Sequence, residues 1–147
     1  MEPRFTLPAE LVKNASVSGN EYAWPPAAFP EAALRAELLG FACLGGQFQF
    51  RAQIGTCEMY WLNADSTGRL MTEEWPAYCA RSRAEVLERF RQIVDQTDFT
   101  REATNWPVLM GEAERGLDVL STLVFVAYFV SEQEWLADAA PATEKPA

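Results

Sequence analysis

Histidine is absent from this 147-residue chain, and its absence removes a great deal of chemistry. Without imidazole there is no Ser-His-Asp or Cys-His nucleophile activation, no histidine acid–base step and none of the common zinc sites. Lysine is nearly missing too, so that the 12 basic residues are mostly arginine and stand against 21 carboxylates, for a net charge of −9. A field of that sign repels phosphate backbones and anionic lipid headgroups, which makes nucleic acid and membrane poor partners. It favours encounter with a basic protein, although solubility alone accounts for acidity equally well. Cysteine is scarce: Cys43, Cys57 and Cys79 are odd in number, widely spaced and without a Cys-x-x-Cys pair. They read as reduced, buried thiols of a cytoplasmic protein rather than as a disulfide scaffold. The longest apolar run, Leu123 to Val130, is too short to span a bilayer, and "MEPRFTLPAE" has charges and prolines where an export signal needs an apolar stretch. No Asp-x-Asp or Asp-x-Asn-x-Asp-Gly spacing gathers oxygen ligands, so neither a metal nor a cofactor is expected.

What is present fits one folded domain. Hydrophobic residues make up 49% of the chain, and a body of this length buries roughly 68–70% of its unfolded surface. Residues 1–20 hold one short helical candidate, "PAELVKNA", and the loop-like "SVSGNE", and are expected to form a loosely attached N-terminal arm. Residues 21–138 form the domain. The tail, residues 139–147, "AAPATEKPA", has the composition of a disordered segment.

Pro30 and Glu31 suit the first turn of a helix from about Phe29 to Leu39, with Leu34, Leu38 and Phe41 on one face and Gly40 as a left-handed cap. After Gly40 the hydrophobic period changes from 3.6 to 2, and Phe48 and Phe50 alternate with Gln47, Gln49 and Arg51. "CEMYWL" continues the alternation, with Cys57, Met59 and Trp61 on one side and Glu58, Tyr60 and Leu62 on the other. These strands make an antiparallel hairpin from Phe41 to Leu62. Thr72 is the expected N-cap of an amphipathic helix from about Glu73 to Val94. Its apolar stripe is Cys79, Val86, Phe90 and Ile93, with Arg81, Glu85 and Arg89 paired outside. "VLMGEAERGLDVLS" is a weaker helical pattern. Leu123 to Val130, dense in β-branched and aromatic residues, reads as a central strand, and Ser131 with Glu134 caps a short helix containing Trp135. The fold class is α+β: a small antiparallel sheet, the hairpin plus a later central strand, covered by amphipathic helices.

The glycine pair in "LGGQFQF" is not a phosphate loop. Such a loop needs its glycines after a strand and directly before a helix, whereas Gly45 and Gly46 follow a helix and precede a strand, with no Lys-Ser/Thr behind them. A glycine bulge at the entry to a sheet strand is expected instead.

From Tyr22 to about Phe90 the order of elements and aromatics, in "YAWP", "LGGQFQF", "CEMYWLNAD" and "EEWPAYCARSRAEVLERF", resembles small bacterial immunity proteins of polymorphic toxin systems. The resemblance covers slightly under half of the chain. It implies a cytoplasmic protein that binds and neutralises a cognate toxin without catalysis, and toxins that attack nucleic acids are commonly basic, which the −9 charge would attract.

Interface hot spots are enriched in Trp, Tyr and Arg, so the candidate partner-binding residues are aromatics flanked by carboxylates: Glu21, Tyr22 and Trp24 in "EYAWP", and Glu58, Tyr60 and Asp65 with Glu73 and Glu74. Trp24, Trp61 and Trp75 also read as core fillers, Trp61 above all. Two other functions stay open: a different cytoplasmic binding or scaffold module, and an enzyme using Glu73 and Glu74 with Tyr60 or Asp65 as acid and base. Adjacent glutamates at a helix start also serve simply to complement its dipole.

Overall fold

A computed structural model describes residues 7–144, with side chains described to Asp138. The chain runs α1 (Ala9–Val12), β1 (Ser16–Ser18), β2 (Glu21–Trp24), α2 (Phe29–Leu38), β3 (Phe41–Ala52), β4 (Gly55–Asp65), α3 (Trp75–Gln96), α4 (Phe99–Ala103), α5 (Pro107–Glu114), β5 (Leu123–Ser131) and α6 (Glu132–Glu144), with a 3-10 turn at Val119–Thr122. The five strands form one antiparallel sheet in the order β1-β2-β5-β3-β4. This is the expected α+β fold, with the late strand at its centre and the hairpin beside it.

The sheet has one apolar face, where the alternating residues Trp24, Phe48, Phe50, Met59 and Phe125 are all buried. Helices lie on it: Phe29 of α2 meets Phe125 at 4.6 Å between ring centroids, Phe90 of α3 stacks on Phe48 at 5.3 Å, and Phe99 of α4 meets Phe48 at 5.1 Å. The expected stripe of α3 is buried as read. A second apolar cluster, Ala42, Trp75, Tyr78, Cys79 and Val130, gathers where β3 and β5 meet their last partners, and Trp135 of α6 packs on it. Ser131 and Glu134 cap α6 reciprocally, at 2.8 and 3.2 Å.

Several expectations change. The buried face of α2 is Phe29, Ala32, Ala33 and Ala36, while Leu34 and Leu38 point to solvent; small alanines let the helix approach the sheet closely, with Phe29 as its wedge. Helix α3 starts at Trp75 with Glu74, not Thr72, at the cap position. Arg81 pairs with Glu85 at 3.0 Å, but Arg89 joins no ion pair among the described residues. From Leu7 onward the N-terminal segment is attached to the domain: Leu7 and Leu11 enter the core, the Trp24 indole donates to the Leu11 carbonyl at 3.3 Å, and β1 pairs with β2. The backbone of 139–144 continues α6 as helix, where disorder was expected; residues 1–6 and 145–147 lie outside the described residues.

The glycine pair permits close approach between strands. The register of β3 against β5 slips between Cys43 and Gly45, leaving Leu44 as the extra residue of a bulge, and Gly45 has φ +143°. A Cβ at Gly46 would lie 2.0 Å from the Val126 carbonyl oxygen and 2.7 Å from the Phe125 ring. A second irregularity lies on β4, where Gln47 pairs with Asn63 but Phe48 pairs with Met59, so that Tyr60, Trp61 and Leu62 loop out of register. Parity changes across the loop-out, with Cys57 and Met59 inward before it and Ala64 inward after it. This is why Trp61, expected inside, is 42% exposed.

Candidate partner-binding face

The same alternation that points Phe48 and Phe50 at the helices sends Gln47, Gln49 and Arg51 to the opposite side of β3. Register places Glu58 beside Gln49 on β4, Val124 and Val126 beside Gln49 and Gln47 on β5, and Ala23 beside Val126 on β2. Arg51 binds this face together. Its Nε donates to Gln49 Oε1 at 2.8 Å, its Nη1 to the Ser16 carbonyl and hydroxyl at 3.1 Å each, and its Nη2 to the Glu21 carbonyl at 3.3 Å. In a flat sheet, with strands about 4.8 Å apart, β1 would lie about 14 Å from β3. One arginine does not cover that distance. The sheet therefore coils toward this face, as bulged strands do, and Gln49 ends fully buried, at 0% exposure.

Around the guanidinium the groups are polar and coupled. The Tyr128 hydroxyl donates to Glu21 Oε2, and Gln47 Nε2 donates to Glu58 Oε1 at 2.9 Å. Burial pushes the Tyr128 phenol above its ordinary value, and its bond to Glu21 and the nearby charge of Glu58 push the same way. Burial lowers Arg51 from the usual arginine range, against the opposing pull of Glu21, Tyr128 and Glu58. Gln49 Nε2 is buried here with no hydrogen-bond partner among the described residues.

The expected contact residues separate into groups. Glu21 and Glu58 belong to this face. Asp65 follows on β4, exposed and accepting from Asn63 Nδ2 at 2.8 Å. Tyr60 stands on the loop-out between Glu58 and Asp65, 72% exposed, its ring edge-on to Trp61 at 5.1 Å. Trp61 itself leans the other way, stacked on Trp106 at 6.0 Å, with its indole donating to Glu102 at 3.1 Å.

The remaining candidates stand apart from this group. Trp24 is 1% exposed and fills the core, edge-on to Phe129 at 5.6 Å, because its parity on β2 is that of Phe125. Tyr22 shares that side and is half-buried against the same core. Glu73 is committed inside the protein: its carboxylate takes Arg81 Nε at 2.7 Å and Nη2 at 2.8 Å, and the Leu70 N–H at 3.0 Å. The Arg81 bond and the Leu70 N–H together hold its carboxyl down at about 2. Glu74 is exposed at the cap of α3.

Gln49, Arg51 and Tyr128 were missing from the candidates. The period of 2 in "QFQFR" placed the first two on the polar side, but nothing local marks Tyr128, whose partner Glu21 is 107 residues away.

Among the described residues no group of three or more His, Cys, Asp or Glu could hold a metal ion, and no helix is long and apolar enough to cross a membrane. No family model matches the chain, and neither a curated protein nor a solved structure matches it.

Proposed function

We propose that the protein is an immunity-type inhibitor, which binds a basic bacterial toxin in the cytoplasm and neutralises it by non-covalent occlusion. The observation that carries this reading is Tyr60: a large amphipathic side chain, 72% exposed, raised on the β4 loop-out with Glu58 and Asp65 on either side in sequence. An aromatic held by its own backbone irregularity loses little freedom on docking, and flanking carboxylates attract a basic partner. The −9 charge acts in the same direction at longer range. Glu73, by contrast, offers little as a general base, since a carboxyl held down at about 2 takes up a proton weakly near neutral pH.

Co-expression with the product of the neighbouring gene, followed by affinity capture, tests the proposal. A basic protein whose toxicity is relieved should be recovered. Tyr60→Ala should weaken that complex by about 1–2 kcal/mol, or roughly 5- to 30-fold, with folding unchanged. Asp65→Lys should mainly slow association and flatten its salt dependence. Recovery of no protein, or full affinity in the Tyr60 variant, would overturn it.

A further inference from the structure

The coiled polar face holds a feature that its internal bonds leave incomplete. Gln49 is buried at 0% exposure, its Oε1 accepts from Arg51 Nε at 2.8 Å, and its Nε2 has no partner. Exchanging the amide nitrogen and oxygen would set N–H against N–H, so the orientation is fixed by Arg51. A buried donor left unsatisfied costs free energy comparable to the bond it lacks. The missing group is an acceptor. Two carboxylates of the same face have capacity to spare: Glu58, opposite Gln49 in the ladder, accepts only at Oε1, from Gln47, and Glu21 accepts only at Oε2, from Tyr128, among the described residues.

We infer that this face is a receptor for an arginine of the partner, with Gln49 Nε2 donating to that residue's backbone carbonyl and Glu58 and Glu21 receiving its guanidinium. Arginine suits it better than lysine, because two separated carboxylates match the spread of five donors on a planar fork rather than a single ammonium. A second copy of this chain would bring another −9 charge to the face and is disfavoured. The Gln47–Glu58 hydrogen bond, exposed and joining two side chains, is the contact that opens to admit the ligand; exposed side chains exchange rotamers in picoseconds to nanoseconds. This reading names the partner chemistry of the inhibitor proposed above, and rests on it for biological meaning, but the site can be tested without any toxin.

The probe is Nα-acetyl-arginine amide, which carries both carbonyl and guanidinium, titrated into the full-length 15N-labelled protein. The Gln49 side-chain NH2 resonances are identified by their loss in Gln49→Leu, whose backbone spectrum reports whether the fold is retained. These resonances should shift saturably, with an affinity of about 1 mM for a ligand of this size. Nα-acetyl-leucine amide, which lacks the cation, and guanidinium chloride, which lacks the carbonyl, should each act at least about tenfold more weakly, and Glu58→Gln should weaken the arginine probe about fivefold. The absence of a saturable shift at Gln49 up to about 20 mM probe, twentyfold above that affinity, would overturn the site. So would equal responses to the arginine and leucine amides, or an amide that contacts only an ordered water. A failed toxin capture with a positive titration would sink the inhibitor reading alone; a successful capture with a silent Gln49 would sink this inference alone.

Discussion

Replacing Gly46 by alanine adds one methyl group to a residue of β3 that pairs with both β4 and β5. Ordinary contact between non-bonded heavy atoms is about 3.5–4.0 Å, whereas the new Cβ would start 2.0 Å from the Val126 carbonyl oxygen and 2.7 Å from two carbons of the Phe125 ring. The carbonyl belongs to backbone that pairs with both β2 and β3, so relief requires moving the central strand by more than an ångström. Overpacking of this kind costs about 1–3 kcal/mol, and loosening one or two ladder hydrogen bonds adds about 0.5–1.5 kcal/mol for each. The sum is about 3 kcal/mol, which for a chain of this length lowers Tm by about 10 °C. Gly68→Ala is the control, because a Cβ there meets nothing within 4 Å and its φ is unexceptional; it should be neutral or stabilising by up to about 1 kcal/mol. Urea unfolding followed by tryptophan fluorescence reads both. If Gly46→Ala unfolds within about 0.5 kcal/mol of the parent, the close approach is not what the glycine serves.

Two further outcomes follow from the ionisable groups. The Glu73 carboxyl is lowered in the folded protein from 4.5 to about 2, so its contribution is present above the unfolded value and is lost as pH falls from about 4.5 toward about 2; in acid unfolding, Glu73→Gln should flatten the stability slope in that window, and an unchanged slope would place the acid sensitivity elsewhere. Burial pushes the Cys43 thiol up to about 12 and Cys79 to about 11, and raises Cys57 as well, so a thiol reagent at about pH 8 should label all three only after unfolding; rapid labelling of Cys43 in the native protein would contradict its burial.

The hairpin, the central strand and the long helix were legible because each is written in a local period: Phe48 and Phe50 in twos, Val86, Phe90 and Ile93 in threes and fours. Helix α2 misled because leucine outranks alanine in any hydrophobic pattern, yet closeness of approach rather than side-chain bulk selects Ala32, Ala33 and Ala36 for its buried side. Trp61 misled because counting by twos assumes an unbroken ladder, and three residues out of register restart the count. Of the polar face, the outward direction of Gln49 could be read from its neighbours. Its burial could not, since that comes from Arg51 reaching Ser16 and Glu21 across strands far apart in sequence.

The position of β5 governs when the fold can exist at all. Of the five described strands it is the last in the sequence, yet it lies between β2 and β3 and pairs with both. Until Leu123 to Ser131 has left the ribosome, the earlier strands are two separate ribbons, β1–β2 and β3–β4, each with an edge that has no strand beside it, and two-stranded ribbons are marginal in water. Closing the sheet joins segments about a hundred residues apart, as the Tyr128–Glu21 contact marks, so folding is dominated by a late, non-local step and the nascent chain carries unpaired edges through most of its synthesis. A chain cut short before Leu123 loses the strand on which both halves assemble.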